Sequence, residues 1–270
     1  MKSFRIAAIA ALAGAACAPA GGTDLVASPL AGSAWRIATI DGTPVVGRRG
    51  DDGEDTTPRF AFGWRSYGGN AGCNALGGLY AQVGDRLYTM PGPQTAMACG
   101  SPHGDQEAAA SAIFAASPVV GRRGETFRLS GGGHAMELVR IGPAPGNVDP
   151  PTAWQGTALS GQSFAIHEVD GARTDGMRLW KTPPRLRFGS SEVTMALDCP
   201  RPAKGAFVQS SEHLHVAMLA PTCPTEARDR RLAEILGADP RVVSGPNGEL
   251  LLASAKGWAI LWNERRDRPK

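Results

Sequence analysis

Hydrophobic and polar positions alternate with a period of two over much of this chain. Phe60, Phe62 and Trp64 fall on every second position, and so do the apolar members of Arg185-Leu186-Arg187-Phe188 and Val193-Thr194-Met195-Ala196-Leu197. Successive side chains of a strand leave opposite faces, so each run predicts a strand with one face toward a core. Trp258, Ile260 and Trp262 repeat the pattern and predict the inward face of the last strand. Ala34-Trp35-Arg36-Ile37-Ala38-Thr39-Ile40 ends at an Asp41-Gly42 turn, and Thr126-Phe127-Arg128-Leu129 and Met136-Glu137-Leu138 flank Gly131-Gly132-Gly133 as a hairpin. Helical spacing occurs twice. Residues 105–116 predict an alanine-rich helix capped by Asp105, and residues 225–236 predict one with Leu232, Ile235 and Leu236 on one face and Gly237 as the stop.

This order is written twice. Pro58-Arg59-Phe60-Ala61-Phe62-Gly63 leads to Cys73, Pro184-Arg185-Leu186-Arg187-Phe188-Gly189 leads to Cys199, and both cysteines lie fifteen residues after the proline. A second cysteine follows each, Cys99 after 26 residues and Cys223 after 24. Repetition on this scale predicts two copies of one unit, each closed by its own disulfide. The expected fold is mainly β (α+β): two tandem small antiparallel sheets or partial barrels, each with one helix packed on the sheet. A crosslink over 26 residues is worth about 3–4 kcal/mol in the chain-entropy model, a sufficient reason for its existence in a domain with a small core.

The N-terminus departs from this pattern. Lys2 and Arg5 precede an apolar run, Ile6 to Ala16, too short to span a bilayer, which reads as a secretory signal over residues 1–16. Gly14-Ala15-Ala16-Cys17 resembles a bacterial lipobox with Cys17 as the lipidated first residue, although Gly14 stands where leucine is preferred. The competing cleavage follows Ala20 and discards Cys17. Either cut leaves four paired cysteines in an oxidising compartment. Residues 17–33 read as a flexible tether, 34–142 as the first domain, 143–151 as a Pro/Gly linker, 152–264 as the second domain and 265–270 as a basic tail. Removing Lys2 and Arg5 lowers the formal charge from +3 to +1, which gives no electrostatic case for nucleic acid.

A set of spaced residues narrows the picture further. Gly72-Cys73-Asn74, then Gly77-Gly78-Leu79-Tyr80, Thr95-Ala96-Met97-Ala98-Cys99 and Glu107 at the head of the helix, all after the opening Trp35, resemble the META domain (HslJ-type) family. Residues 153–263 resemble it more weakly, with Asp198-Cys199-Pro200 for Gly-Cys-Asn and Thr222-Cys223 for the second motif, so the second copy is degenerate. The resemblance implies a small, mainly β fold with one helix, common in secreted or lipid-anchored bacterial proteins, and implies no agreed enzymatic activity.

Candidate chemistry is sparse. Asn70, Gly72, Asn74, Gly78 and Tyr80 mark a possible ligand loop, in which the glycine-dense run would present backbone N–H groups. The plainer reading of those glycines is close backbone packing. Gly47-Arg48-Arg49-Gly50 and Gly121-Arg122-Arg123-Gly124 could together contact an anion, against the plainer reading of two exposed charged turns. Cys73 activated by His134 or His103 is the nucleophilic alternative to a disulfide. His213 and His215 share a strand face, a spacing compatible with a metal, but no third ligand lies near in sequence. The chain has no Gly-x-Ser-x-Gly, His-Glu-x-x-His or Cys-x-x-Cys motif, and no metal or cofactor is expected.

These readings converge on a non-enzymatic protein of the bacterial envelope or periplasm. It would be anchored through Cys17, with the outer membrane favoured, and would act as a binding or scaffolding module for an unknown periplasmic ligand or protein. The alternatives are a small-molecule carrier with a cavity inside one β unit, and a hydrolase or inhibitor with a dispersed site.

Overall fold

A computed structural model describes residues 28–49, 55–145, 158–174, 184–196, 202–210, 212–218 and 227–264. Cys17, Cys199, Cys223, the signal sequence, the centre of the linker and the basic tail lie outside the described residues.

The first unit contains β1 (Ser33–Ile40), β2 (Thr43–Pro44), β3 (Arg48–Arg49), β4 (Asp55–Thr56), β5 (Arg59–Phe62), β6 (Ser66–Asn70), β7 (Ala75–Val83) and β8 (Arg86–Pro91), then α1 (His103–Ala115), then β9 (Val119–Arg123), β10 (Thr126–Gly131) and β11 (His134–Pro143). The second contains β12 (Ser163–Val169), β13 (Ala172–Arg173), β14 (Arg185–Phe188), β15 (Glu192–Ala196), β16 (Ala203–Ser210) and β17 (His213–Met218), then α2 (Ala227–Leu236), then β18 (Arg241–Ser244), β19 (Glu249–Ser254) and β20 (Gly257–Asn263). In each unit the strands pair antiparallel with their chain neighbours, and the first pairs with the last, β1 with β11 and β12 with β20. Both sheets therefore close into barrels of eight main strands, a more complete closure than the partial barrel expected. The helix enters each ring at its weakest seam: β8 meets β9 at the single pair Arg86 and Val119, and β17 meets β18 at His213 and Arg241.

The alternating residues fill the first barrel. Phe60, Phe62 and Tyr80 are fully buried with Ile37, Leu87, Leu129 and Leu138 around them. Phe114 of α1 stacks on Tyr67 at 4.4 Å and meets Phe60 edge-on at 4.9 Å. Helix α1 lies over the end where β6 turns into β7, because Gln106 donates to the carbonyls of Val46 and Ala71 and Glu107 accepts from Asn74. At the other end Leu30 is fully buried in the same core, and Trp35 Nε1 donates to Ser33 Oγ, which donates to the Leu30 carbonyl. Residues 28–33 are thus part of the domain and not tether. Among the described residues these aromatic and aliphatic side chains pack the interior of the first barrel.

Both barrels are locked by the same device. Asp41 and Asp170 follow the first strand of their units in the left-handed region (φ 52° and 47°), a conformation that short polar residues tolerate. The Asp41 carboxylate accepts from Ala135 N at the start of β11, and the Asp170 carboxylate accepts from Trp258 N in β20. The second oxygen accepts from a side chain, His134 Nδ1 at 2.7 Å in one unit and the Arg231 guanidinium in the other. Each aspartate therefore tacks the first strand to the last.

A third apolar cluster joins the units. Ala81, Tyr88 and Met90 on the outer face of β7 and β8 pack with Val243, Leu251, Trp258 and Ile260 of the second barrel. The Tyr80 hydroxyl donates to the Gly63 carbonyl; burial pushes its pKa up to about 12, opposed by Arg241 of the second barrel.

Several expectations need correction. Trp258, Ile260 and Trp262 face the first barrel, while Ala259 and Leu261 face their own core. Both faces of β20 are covered, so alternation alone does not say which is inward. Trp64 falls in the bend after β5 and is only half-buried. Helix α1 begins at His103 with Pro102 at the N-cap and no side-chain cap; Asp105 sits inside the first turn and accepts from Ser101 Oγ at 2.7 Å. The glycine-dense run is no loop. It is the β6–β7 hairpin, in which a methyl group at Gly69 would strike the Arg59 carbonyl and one at Gly78 the Met90 carbonyl.

Candidate functional site

Asn74 is the hub of the helix end of the first barrel. Gly72 (φ +118°) turns the chain under Gln106, which brings Asn74 beneath α1 with only 5% of its surface exposed. Its side-chain oxygen accepts from Met97 N at 2.7 Å and Thr95 Oγ1 at 3.0 Å. Its amide nitrogen donates to the Met97 carbonyl at 3.0 Å and to Glu107 at 3.1 Å, and its backbone N–H donates to the other Glu107 oxygen at 2.7 Å. Thr95 Oγ1 also accepts from Ala75 N at 2.9 Å. Cys73 and Cys99 are joined in a disulfide with a Cα–Cα distance of 6.3 Å. Of the residues that carry the family resemblance, Cys73, Asn74, Thr95, Met97, Cys99 and Glu107 therefore form one clasp, which pins residues 95–99 to the β6–β7 turn and to α1. Each of its polar groups is satisfied internally, as burial requires.

The sulfurs of Cys73 and Cys99 and a Glu107 oxygen cluster closely, but the sulfurs are bonded to each other and Glu107 is held by Asn74. A disulfide also leaves no thiolate for nucleophilic attack. His134 is engaged by Asp41, and His103 Nε2 lies 3.3 Å from the Gly47 carbonyl.

Beside the clasp runs an open groove of about 740 Å³ on the outer face of the barrel. Its floor is a row of small residues in register: Gly142 faces Ala34, Ala34 faces Ala61, and Ala61 faces Gly68. Met97 stands on one side and Ile141 on the other, each 50% exposed, and both line the groove. Ile141 is the extra residue of a β-bulge, because Ala34 pairs with Gly142 while Trp35 pairs with Arg140. Bulges re-aim side chains, and this one sets Ile141 at the rim. Arg59 lines the groove and faces Arg36 directly across β1 and β5.

The predicted site residues divide accordingly. Asn70 and Cys73 line the groove. Gly72 and Asn74 belong to the clasp, Gly78 is spent on strand contact, and Tyr80 points into the core with no exposed surface. The two arginine pairs are not brought together. Arg48 and Arg49 form β3 near α1, whereas Arg122 and Arg123 end β9 away from it, with Arg122 over the Phe127 ring. Arg59 and Arg36 escaped sequence reasoning; the signal was available, since cross-strand pairing of the outward positions of β1 and β5 places them side by side.

In the second barrel His213 and His215 share the outer face of β17. Asp239 accepts from both: its carboxylate lies 3.1 Å from His215 Nδ1, and its carbonyl 3.3 Å from His213 Nδ1. Ser210 Oγ lies 3.3 Å from His215 Nε2. Among the described residues no third metal ligand joins the histidines.

Residues 28–142 match the family model of the META domain, and the match ends there. Two solved structures are similar to part of the chain. One, described as an NMR structure of the protein, is 23% identical, covers 38% of this chain and 90% of its own, and has a TM-score of 0.32. The other is an NMR structure of a protein from Burkholderia xenovorans, 24% identical over 42% of this chain and 83% of its own, with a TM-score of 0.31. No curated protein matches the chain.

Proposed function

We propose, from the premise that residues 28–142 are a META domain, that this chain is a non-catalytic ligand-binding module of the bacterial envelope whose binding surface is the groove of the first barrel. The observation that carries this reading is the contrast between clasp and groove. The motif's Asn74, Thr95, Glu107 and paired cysteines are consumed in holding the wall, while Met97 of the same motif stands exposed with Ile141 and Arg59 along a cleft of ligand size. A carrier cavity inside this barrel is disfavoured by its filled core. Export and lipidation at Cys17 would place the module at a membrane, and the second barrel, packed on β7 and β8, would serve as its support.

The experiment is differential retention. Envelope extract is passed over the immobilised mature chain and over its Gly68→Leu variant, and bound small molecules are identified by mass spectrometry. Gly68 has open space above it and an ordinary φ, so leucine there fills the groove without strain. Compounds held by the natural chain and lost by the variant support the reading. Identical retention sinks it.

A second reading rests on Ser210, His215 and Asp239, whose hydroxyl, ring nitrogens and carboxylate stand in the order of a hydrolytic triad. Ser210 would attack an ester carbonyl as His215 took its proton and passed it to the departing alkoxide; water would then release the acid. His215 and Asp239 are 50% and 62% exposed, an open setting that favours the binding reading. Fluorophosphonate labelling decides: an unmodified Ser210 eliminates the hydrolase.

A further inference from the structure

We propose that the groove binds a single-chain amphiphile with a carboxylate head, the chain lying across the small-residue floor and the head held by Arg59 and Arg36. This inference rests on the reading of the groove as a ligand site and specifies its ligand.

The floor selects the chain. Gly142, Ala34, Ala61 and Gly68 lie in register across β11, β1, β5 and β6 and line the groove. Three inter-strand steps of ~4.8 Å make a shallow track about 14 Å long. The backbone beneath it is occupied by ladder hydrogen bonds, and a closed barrel has no free edge. An extended peptide on this track would find few partners for its own N–H and C=O groups, and leaving them unpaired is costly. An alkyl chain has no such groups. It gains contact with Met97 and Ile141, apolar side chains that are half in water without it.

The flank selects the head. Arg36 and Arg59 are direct cross-strand neighbours on the outer face, both exposed, and neither has a hydrogen bond or ion pair among the described residues. Like charges directly opposite repel. An anion between them removes that repulsion, and a planar carboxylate matches the fork of a guanidinium in two parallel hydrogen bonds. The cationic pair lies along β5 and β1 toward the helix end, one outward position from the floor residues Ala61 and Ala34, so head and chain can be engaged together.

The test is calorimetric titration of the mature full-length chain with dodecanoate, dodecanol and dodecyl phosphate, each below its micelle threshold. Dodecanoate should bind best. Arg36→Gln with Arg59→Gln should weaken it at least about tenfold, leave dodecanol unchanged and leave the fold intact, since both side chains are exposed. Gly68→Leu should abolish binding. If dodecanol binds as tightly as dodecanoate and the arginine variant changes nothing, the carboxylate assignment fails while the groove survives. Tighter binding of dodecyl phosphate overturns the carboxylate in favour of a phosphate head. If no amphiphile binds, or Gly68→Leu has no effect, the apolar-chain assignment falls. If retention of extract compounds is also unchanged in Gly68→Leu, the groove reading falls with it.

Discussion

Asn74 spends its whole hydrogen-bonding capacity on its neighbours, and that decides what its loss would do. Asn74→Ala would remove the side-chain partner of the Met97 N–H, the Met97 carbonyl, the Thr95 hydroxyl and one Glu107 oxygen, while the backbone N–H at position 74 still reaches the other Glu107 oxygen. We expect a loss of about 2–3 kcal/mol, read as a lower urea midpoint with an unchanged slope. An unaltered midpoint would contradict the clasp. Asp41 carries a pH signature. The hydrogen bond from His134, the Ala135 N–H and the positive charge nearby hold its carboxyl below the ordinary 3.8. A depressed folded value means that the contribution is fully present above 3.8 and fades as pH falls through the lower, folded value. The stability advantage of the natural chain over Asp41→Asn should therefore shrink in that acid window. An advantage that grew on acidification would refute the assignment. Sequence reading found Asn74 and Cys73 through their motif but took Asn74 for a ligand group. A motif states which residues keep company, and only burial shows that Asn74 has nothing left to offer a ligand.

At the scale of elements, the strands were legible where one face is wet and the other dry. β5, β14 and β15 alternate as read, and the Gly132-Gly133 hairpin joins β10 to β11 as expected. The inverted reading of β20 has a physical cause. Its tryptophans are the larger residues, but they serve the seam between barrels, and the smaller Ala259 and Leu261 suffice for its own narrow core. Leu30 was invisible for a similar reason: one leucine among small residues has no period, yet it plugs the barrel end. The disulfide acts at this scale as well, by fastening the connection between β8 and α1. Cys73→Ser with Cys99→Ser should cost about 3 kcal/mol and speed hydrogen exchange at Met97 while the β6–β7 ladder stays protected. Equal acceleration in both places would mean that the bond holds the barrel itself.

For the whole molecule, the seam built by Tyr88, Met90, Trp258 and Ile260 makes the barrels mutually dependent. We expect one thermal transition for the natural chain and two for Ile260→Asp, which sets an unpaired charge at a position 3% exposed and costs roughly 3–5 kcal/mol. Two transitions in the natural chain would show that the seam couples little. Attachment through Cys17 predicts that intact mass of the membrane fraction includes a lipid, and that Cys17→Ala moves the chain to the soluble fraction. A mature mass that begins after Ala20 would remove the anchor.

Ring closure also dictates an order of events in time. One edge of β1 pairs early, with β5, but its other edge finds its partner only in β11, where Ser33 meets Pro143, so a chain emerging N-terminus first holds an open edge until nearly the whole unit has followed it. During that interval β1 offers a bare edge of the kind that templates aggregation, and so does each newly emerged strand behind it. The completed first ring then waits in turn, with the outer faces of Tyr88 and Met90 wet, until the second ring arrives to cover them. A chain cut short anywhere before β11 inherits the liability permanently. The protein is therefore most vulnerable while it is being made.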